Sequence, residues 1–170
     1  MFILDMEKLL ENLEKEQLTL GEYALRCEME SSGRSREELR AQMAQSLEVM
    51  ERSTLAARQE PVHSVSGLTG GNAWKYEQYR QKGKSLLGQV PALAAGMALS
   101  CSELNASMQC IVACPTAGSC GIVPAVLLSC AQSRGMEREK MIDALFCASA
   151  VGILIGSKAT LAGAEGGCQA

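Results

Sequence analysis

Residues 114–124 read CPTAGSCGIVP, and this stretch decides how the second half of the chain is interpreted. Pro115 disfavours a helical conformation in the residue before it. The preceding segment CIVAC, residues 110–114, is therefore predicted to be a short strand or an extended entry into a turn. A helix should begin near Ile122, because the second proline then falls in a first turn, where proline is tolerated. The stretch predicts a small-residue turn leading into a helix, with Cys120 at the helix start.

Apolar residues at helical spacing, together with capping signals, predict helices through most of the remaining chain. TLGE at 19–22 and SREE at 35–38 both match a capping box. Because CIVAC is the only strand candidate, the predicted class is all-α, a multi-helix domain. The predicted helices are three amphipathic helices between residue 5 and about residue 57, then helices over 73–82, 89–107, 122–135 and 137–158.

Charge divides the chain into two regions. Residues 1–60 hold most of the charged side chains and are predicted to be a charged, amphipathic, helical N-terminal region. The Ser- and Gly-rich segment PVHSVSGLTGGNAW marks the start of the second region, 61–170, where Glu103 is the only charged residue between positions 85 and 133. The net charge of −3 gives no sign of a nucleic-acid-binding surface.

Neither a membrane span nor a secretory signal is predicted. A span needs about 20 mainly apolar residues; the run 144–157 is shorter, and glycine, proline and polar residues interrupt the run 104–133. The N-terminus, MFILDMEKLL, is acidic and has no long apolar core. The eight cysteines are therefore expected to be reduced thiols of a cytoplasmic protein rather than a disulfide framework.

Three thiols lie close together in the sequence, but their C-x3-C-x5-C spacing matches neither a standard zinc motif nor a ferredoxin run. Cys120 should lie at a helix start, where unpaired N–H groups and the helix dipole stabilise a thiolate. Cys168 follows two glycines in a comparable setting. Two such thiols suit one shared cluster. The other cysteines of this region are Cys110 and Cys114 in the turn, and Cys101, Cys130 and Cys147, which are predicted to be core residues.

Three segments resemble the α chain of iron–sulfur-dependent bacterial L-serine dehydratase: SGLTGG (66–71), NASMQCIVACPTAGSCGIVPAVL (105–127) and ATLAGAEGGCQA (159–170). The resemblance covers roughly residues 60–170 and, more loosely, the helical N-terminus. It implies that residues 61–170 form the first part of a helical catalytic domain. It also implies the conversion of L-serine to pyruvate and ammonia with a [4Fe–4S] cluster, whose open iron acts as a Lewis acid on the serine hydroxyl.

The resemblance assigns two of three cluster ligands to this sequence, Cys120 and Cys168. The third cysteine of the family's site is expected beyond Ala170, so the sequence is expected to be C-terminally truncated. Cys110 and Cys114 stand where family members more often have other residues, and either one replacing the third ligand stays open. The alternative function is a non-catalytic helical fragment or assembly subunit without a complete cluster.

The same resemblance suggests which residues hold L-serine. The SGLTGG loop offers backbone N–H groups and hydroxyls that could form an anion nest for the substrate carboxylate. The PTAGS turn could cradle substrate or cluster. The predicted substrate-binding residues are Ser66, Gly67, Thr69, Gly70 and Gly71 in the loop, and Thr116, Ala117, Gly118 and Ser119 in the turn.

His63 is the only imidazole and the default general base, although it could equally be an ordinary surface histidine. Asn105 and Glu165 could hydrogen-bond groups around the site, or could cap helices. A pyridoxal-phosphate route is disfavoured, because no parallel strands are predicted around Lys158. Expected partners are L-serine, a β chain that is separate or fused, and other subunits of an oligomer.

Overall fold

The computed structural model describes residues 6–83, 85–162 and 165. Within these ranges the chain forms seven α-helices and no β-strand, which confirms the all-α class. Cys168, with the two glycines before it, lies outside the described residues. The helices are α1 (Met6–Glu16), α2 (Leu20–Ser32), α3 (Arg36–Gln59), α4 (Asn72–Gln81), α5 (Gln89–Ala106), α6 (Ile122–Arg134) and α7 (Arg138–Lys158).

The ends of α2 and α3 use the predicted capping chemistry. The Thr19 hydroxyl accepts a hydrogen bond from the Glu22 backbone N–H at 3.3 Å at the start of α2. At the start of α3 the box is reciprocal: the Glu38 N–H donates to the Ser35 hydroxyl at 3.2 Å, and the Ser35 N–H donates to the Glu38 carboxylate at 2.8 Å. Each bond satisfies a backbone donor that the first helical turn leaves unpaired.

The predicted helices of the second half are also present, and their ends agree with the prediction within one residue. The CIVAC segment forms no strand; it is an irregular connection that leads from α5 into the turn before α6. Of the two alternatives that the sequence left open, a short strand or an entry into a turn, the structure shows the second. Pro115 is joined to Cys114 by a cis peptide bond.

The chain divides into two compact units. One comprises the described residues up to Ala44 together with those from Glu139 onward, and the other comprises Gln45–Arg138. Helix α3 therefore contributes residues to both. The division at residues 60 and 61 was predicted from composition, and it stays a prediction.

In the first unit α2 approaches α7 closely at Gly21. A Cβ placed on Gly21 would lie 2.6 Å from the Asp143 carbonyl oxygen, so only glycine fits without a shift. Arg40 also binds α7, through Asp143 and Glu139, each at 2.6 Å. The buried apolar residues of this unit are Leu9, Tyr23, Ala24, Leu25, Cys27, Leu39, Ile142, Leu145, Phe146, Ala150 and Leu154.

In the second unit α5 packs against both α4 and α6. Its residue Ser100 is fully buried and links α5 to α3: the hydroxyl donates to the Ser53 carbonyl at 2.7 Å and accepts from the Ala57 N–H at 3.1 Å. Small side chains allow this approach. Ala57 packs in one buried cluster with Ala73 and Leu104, so α3, α4 and α5 meet there.

A buried ion-pair network also stabilises the second unit. The Glu77 carboxylate binds Arg80 at 2.6 Å and Arg58 at 3.2 Å. Gln81 donates a further hydrogen bond at 3.3 Å. Hydrogen bonding from Arg80, with help from Arg58 and Gln81, lowers the pKa of the Glu77 carboxyl to about 2, although burial opposes this shift.

Helix α7 is the one helix of the described part that is long and apolar enough to cross a membrane, judged by length and composition alone. It extends past the run 144–157, which was too short for a span. Core helices of soluble proteins pass the same test, so α7 is weak evidence of a membrane span, and the absence of a membrane partner stays a prediction.

Replacing Gly21 with alanine should destabilise the protein by about 1–3 kcal/mol, because the new Cβ meets backbone that cannot move independently. Gly152→Ala is the matched control within α7: no atom lies within 4 Å of its Cβ position. It should stabilise by about 0.5–1 kcal/mol, as alanine does in a helix interior. Urea unfolding monitored by circular dichroism would measure both, and equal stability of Gly21→Ala and the parent would contradict the close approach.

The Glu77 network should make stability depend on pH. The pKa of this carboxyl lies near 2, below its usual 4.5. Its stabilising contribution is therefore complete above pH 4.5 and is lost as the pH falls through 2. Glu77→Gln should lower the free energy of unfolding at pH 7 by about 3 kcal/mol, because two partly buried guanidinium groups lose their buried partner.

The variant should also lose less further stability between pH 4.5 and pH 2 than the parent does. Denaturant unfolding across this range measures both effects. Glu60→Gln, at an exposed carboxylate, is the control and should follow the parent. Parallel pH profiles for Glu77→Gln and the parent would rule out the assignment.

Candidate functional site

The C-terminal end of α5 holds the two loops that the sequence singled out. The Ala106 carbonyl accepts a hydrogen bond from the Val65 N–H at 3.1 Å, which ties down the loop of residues 62–71. The Asn105 carboxamide donates to the Ala117 carbonyl at 3.0 Å, which ties down the PTAGS turn. Asn105 thus contacts the motif directly, and its role around a functional site stays a prediction. Both segments attach to one helix end within the second unit.

The loop 62–71 closes on itself as a small hairpin. The Ser64 N–H donates to the Thr69 carbonyl at 2.9 Å, and the Gly71 N–H donates to the Val62 carbonyl at 2.8 Å. Further N–H groups of the loop bind loop atoms: Gly67 to the Ser64 carbonyl, Leu68 to the Ser66 hydroxyl and Thr69 to the Ser64 hydroxyl. Most donors of the predicted anion nest therefore bind inside the loop.

The PTAGS turn is organised by the Ser119 hydroxyl. This hydroxyl donates to the Cys114 carbonyl at 2.9 Å and accepts from the Thr116 N–H at 3.2 Å. The Ser119 N–H in turn donates to the Thr116 hydroxyl at 3.3 Å. These bonds fix a compact turn in which Ala117 and Gly118 remain exposed. At this tip the Ala117 carbonyl accepts hydrogen bonds from the Asn105 side chain and the Cys120 N–H, and the binding role of the turn stays a prediction.

Gly121 places the start of α6 directly on α5. A Cβ at this position would lie 2.8 Å from the Ala98 carbonyl oxygen and 3.1 Å from the Ala98 Cα. Both neighbours are backbone atoms of a packed helix, so a larger residue would push the turn away. The glycine after Cys120 is therefore required by packing, and it draws Cys120 into the interior.

Cys120 is buried, with 1% of its surface exposed, and its Sγ lies 3.9 Å from the Cys101 carbonyl oxygen. Burial raises the pKa of the Cys120 thiol. The sequence predicted that the start of a helix would stabilise a thiolate here, but burial shifts the pKa of this thiol in the opposite direction. Desolvation, which disfavours the charged form, outweighs the backbone hydrogen bond that favours it.

Two further thiols lie in the same region. Cys101 is buried beside the Ser53 hydroxyl, 3.3 Å away, and burial raises its pKa to about 11. Cys114 is half-buried, and burial raises its pKa too. Cys110 is exposed. Across the described residues no three Cys, His, Asp or Glu side chains come close enough together to hold a metal ion.

Glu103 occupies an unusual position on α5. Its side chain is 8% exposed, and Oε1 accepts from the Asn72 N–H at 2.6 Å and the Ala73 N–H at 3.3 Å, so it caps α4. Oε2 is buried and has no hydrogen-bond partner among the described residues. Leaving a buried polar group unpaired costs about 1–3 kcal/mol. The sequence marked Glu103 as the lone charge of an apolar region, but no role was assigned to it.

The remaining candidates include two residues of the 62–71 loop, His63 and Thr69. His63 is exposed and lies against Gly70, where a Cβ would come within 2.9 Å of its Nδ1. Thr69 is exposed as well. Glu165 accepts a hydrogen bond from the Thr160 hydroxyl at 2.9 Å, a local contact. Cys168 lies outside the described residues, so its position relative to Cys120 stays a prediction, as does the assignment of both as ligands.

The described part of the chain is all-α, and two small-residue loops attach to the C-terminal end of α5. Comparison with known families makes the class specific: the family described as "Serine dehydratase alpha chain" matches residues 15–170. The chain belongs to the serine dehydratase α-chain family.

Named relatives agree. The chain is 38% identical over 166 residues to the probable L-serine dehydratase, alpha chain, of Bacillus subtilis (strain 168), covering 98% of this chain and 55% of that one. It is 35% identical over 153 residues to the L-serine dehydratase, alpha chain, of Peptoniphilus asaccharolyticus, covering 90% and 52%. Over 73 residues it is 47% identical to a probable alpha chain of Latilactobacillus sakei, covering 43% and 35%.

The chain thus spans about half the length of the first two relatives. No solved structure matches it significantly.

Removing the Ser119 hydroxyl should loosen the PTAGS turn. We expect Ser119→Ala to lower the free energy of unfolding by about 1 kcal/mol, the usual value of a hydrogen bond. Amide exchange at Thr116 should also become faster, because its acceptor is gone. Ser102→Ala, on the exposed side of α5, is the control and should change neither quantity. Unchanged exchange at Thr116 would show that the turn does not depend on Ser119.

Proposed function

We propose that this chain takes part in the dehydration and deamination of L-serine to pyruvate and ammonia, as an L-serine ammonia-lyase. The observation that carries the proposal is the family match over residues 15–170, together with the anchoring of both family-like loops on the end of α5. L-Serine is proposed as the substrate because the relatives are named L-serine dehydratase. The reaction is a proposal for this chain, which spans about half of those proteins.

The cofactor we propose is a [4Fe–4S] cluster, and the donor chemistry of the described residues fits it in kind. Thiolates are the usual ligands of such clusters. Cys120 is a buried cysteine whose thiol would lose its proton on binding iron. We propose Cys120 and Cys168 as ligands. When bound, the cluster would supply a Lewis acid for the serine hydroxyl, which is otherwise a poor leaving group.

The chain's own side chains would hold the substrate and move its proton. Most N–H groups of the 62–71 loop already donate to other atoms of the protein. Binding of the substrate carboxylate would therefore use the remaining donors, the Thr69 hydroxyl and the Gly70 N–H. The exposed tip of the PTAGS turn lies close to Cys120 in the sequence. We propose that Ser66, Gly67 and Gly71 maintain the conformation of this substrate-binding loop. His63, beside Gly70, would accept the Cα proton.

Assembly and location are parts of the same proposal. Relatives named as alpha chains imply a β chain, and we propose that this chain pairs with one and forms an oligomer. We also propose a cytoplasmic location, because all seven cysteines of the described part are free thiols.

The alternative is a helical assembly piece that does not bind a cluster by itself. One observation favours it: within the described residues no three suitable side chains are grouped for a metal. The two functions differ in a single measurable property, the binding of iron and sulfide by the purified chain.

Anaerobic reconstitution with iron and sulfide, followed by visible absorbance and iron analysis, tests the cluster. We expect the parent to gain an iron–sulfur band and Cys120→Ser to lose most of it. Cys130→Ser is the matched control, a half-buried cysteine of α6 in the same unit, and should retain the band. A parent without a band would favour the alternative, whereas a band equally strong in Cys120→Ser would show that Cys120 is not a ligand. Pyruvate formation from L-serine then tests turnover.

A further inference from the structure

The Glu103 carboxylate uses only one of its two oxygens. Oε1 accepts both N–H groups at the start of α4, whereas Oε2 is buried without a hydrogen-bond partner among the described residues. No Lys, Arg or His of the described part forms an ion pair with this side chain. Glu103 is therefore a capping residue with one unused acceptor oxygen.

A second buried glutamate shows how this protein treats a carboxylate with a purely structural role. Glu77, 5% exposed, has both oxygens occupied, by Arg80, Arg58 and Gln81. Buried carboxylates are normally paired in this way, because an isolated charge is strongly disfavoured in the interior. Glu103, 8% exposed, departs from that rule. Its second oxygen has no hydrogen-bond donor among the described residues.

We propose that Glu103 binds the ammonium group of a small amino acid. The identity of that amino acid, L-serine, rests on the proposed function; the ammonium site rests on Glu103 itself. The location fits a ligand with several polar groups. Glu103 lies within one helical turn of Asn105 and Ala106, which anchor the PTAGS turn and the 62–71 loop. An ammonium at Oε2 would leave the ligand's carboxylate and hydroxyl free to bind other groups of the chain.

Because Oε2 is buried, binding has to be accompanied by local opening of the segments around it. The bound ammonium would donate a charge-assisted hydrogen bond to Oε2. Oε1 would keep its two backbone donors, so α4 stays capped in both states. The proposal thus separates two functions of one side chain, capping through Oε1 and ligand binding through Oε2.

The substitution Glu103→Gln separates capping through Oε1 from ligand binding through Oε2 experimentally. The amide oxygen can still cap α4, but the NH2 group replaces Oε2 with a donor that repels an ammonium group. We expect thermal stability close to that of the parent. Affinity for ammonium ligands should fall roughly 10- to 100-fold, the usual worth of a hydrogen bond to a charged group. Glu103→Ala loses both functions and should be less stable too.

The readout is titration monitored at the amide resonances of Asn72 and Ala73, which report on the Glu103 cap. The probes are L-serine, ethanolamine, which has an ammonium but no carboxylate, and 3-hydroxypropanoate, which has a carboxylate but no ammonium. We expect L-serine and ethanolamine to shift these resonances in the parent and far less in Glu103→Gln. Glu38→Gln, at the exposed capping glutamate of α3, is the control and should bind as the parent does.

The outcomes separate the two proposals. L-Serine binding equally tight in the parent and in Glu103→Gln would overturn the ammonium site and leave the proposed function standing. Ethanolamine binding that depends on Glu103, without any L-serine response, would support the ammonium site and count against the proposed function. No response at Asn72 and Ala73 to either ammonium probe would overturn the ammonium site, and the cluster and pyruvate assays then decide the proposed function separately.

Discussion

The C-terminal end of α5 is the anchor on which the candidate site depends. A helix end leaves carbonyl groups without partners inside the helix, and these can bind other segments. Here the Ala106 carbonyl accepts a hydrogen bond from the Val65 N–H. Two side chains of the same helical turn bind further segments: Asn105 binds the PTAGS turn, and Glu103 binds the start of α4. One turn of helix thus fixes two loops and a second helix. A change in its register would move all three.

The thiol beside this anchor is kept neutral by its surroundings. The start of α6 would favour a thiolate at Cys120, but Gly121 packs so tightly on α5 that Cys120 is buried, and burial raises its pKa. A protonated, desolvated thiol is a poor nucleophile and is protected from adventitious chemistry. Iron would reverse this preference, because a metal ligand must lose its proton and the metal charge stabilises the thiolate. Burial and metal binding are therefore compatible.

The sequence predicted the helices well because their ends carry local chemistry. Thr19 and Ser35 fix the starts of α2 and α3 through contacts within a few residues, and these contacts form as expected. It predicted the loops less well. That Ser64 would take up donors of the SGLTGG loop, or that Gly121 would pack on Ala98, depends on the path of the chain rather than on spacing. The ionisation of Cys120 was misjudged for the same reason, since burial is a tertiary property.

Glu103 shows most clearly what could not be predicted from the sequence. Its isolation in an apolar region was visible, but a lone glutamate could equally have been a surface residue on α5. Only the fold shows that it is buried and that one oxygen caps α4 while the other has no donor. Glu77, with two arginines, stabilises the second unit without outside help. Proteins accept unbalanced buried groups mainly at functional sites, where a ligand completes them. The second unit therefore contains two buried glutamates with different surroundings. The chain supplies the partners of Glu77, whereas the described residues supply no partner for Oε2 of Glu103.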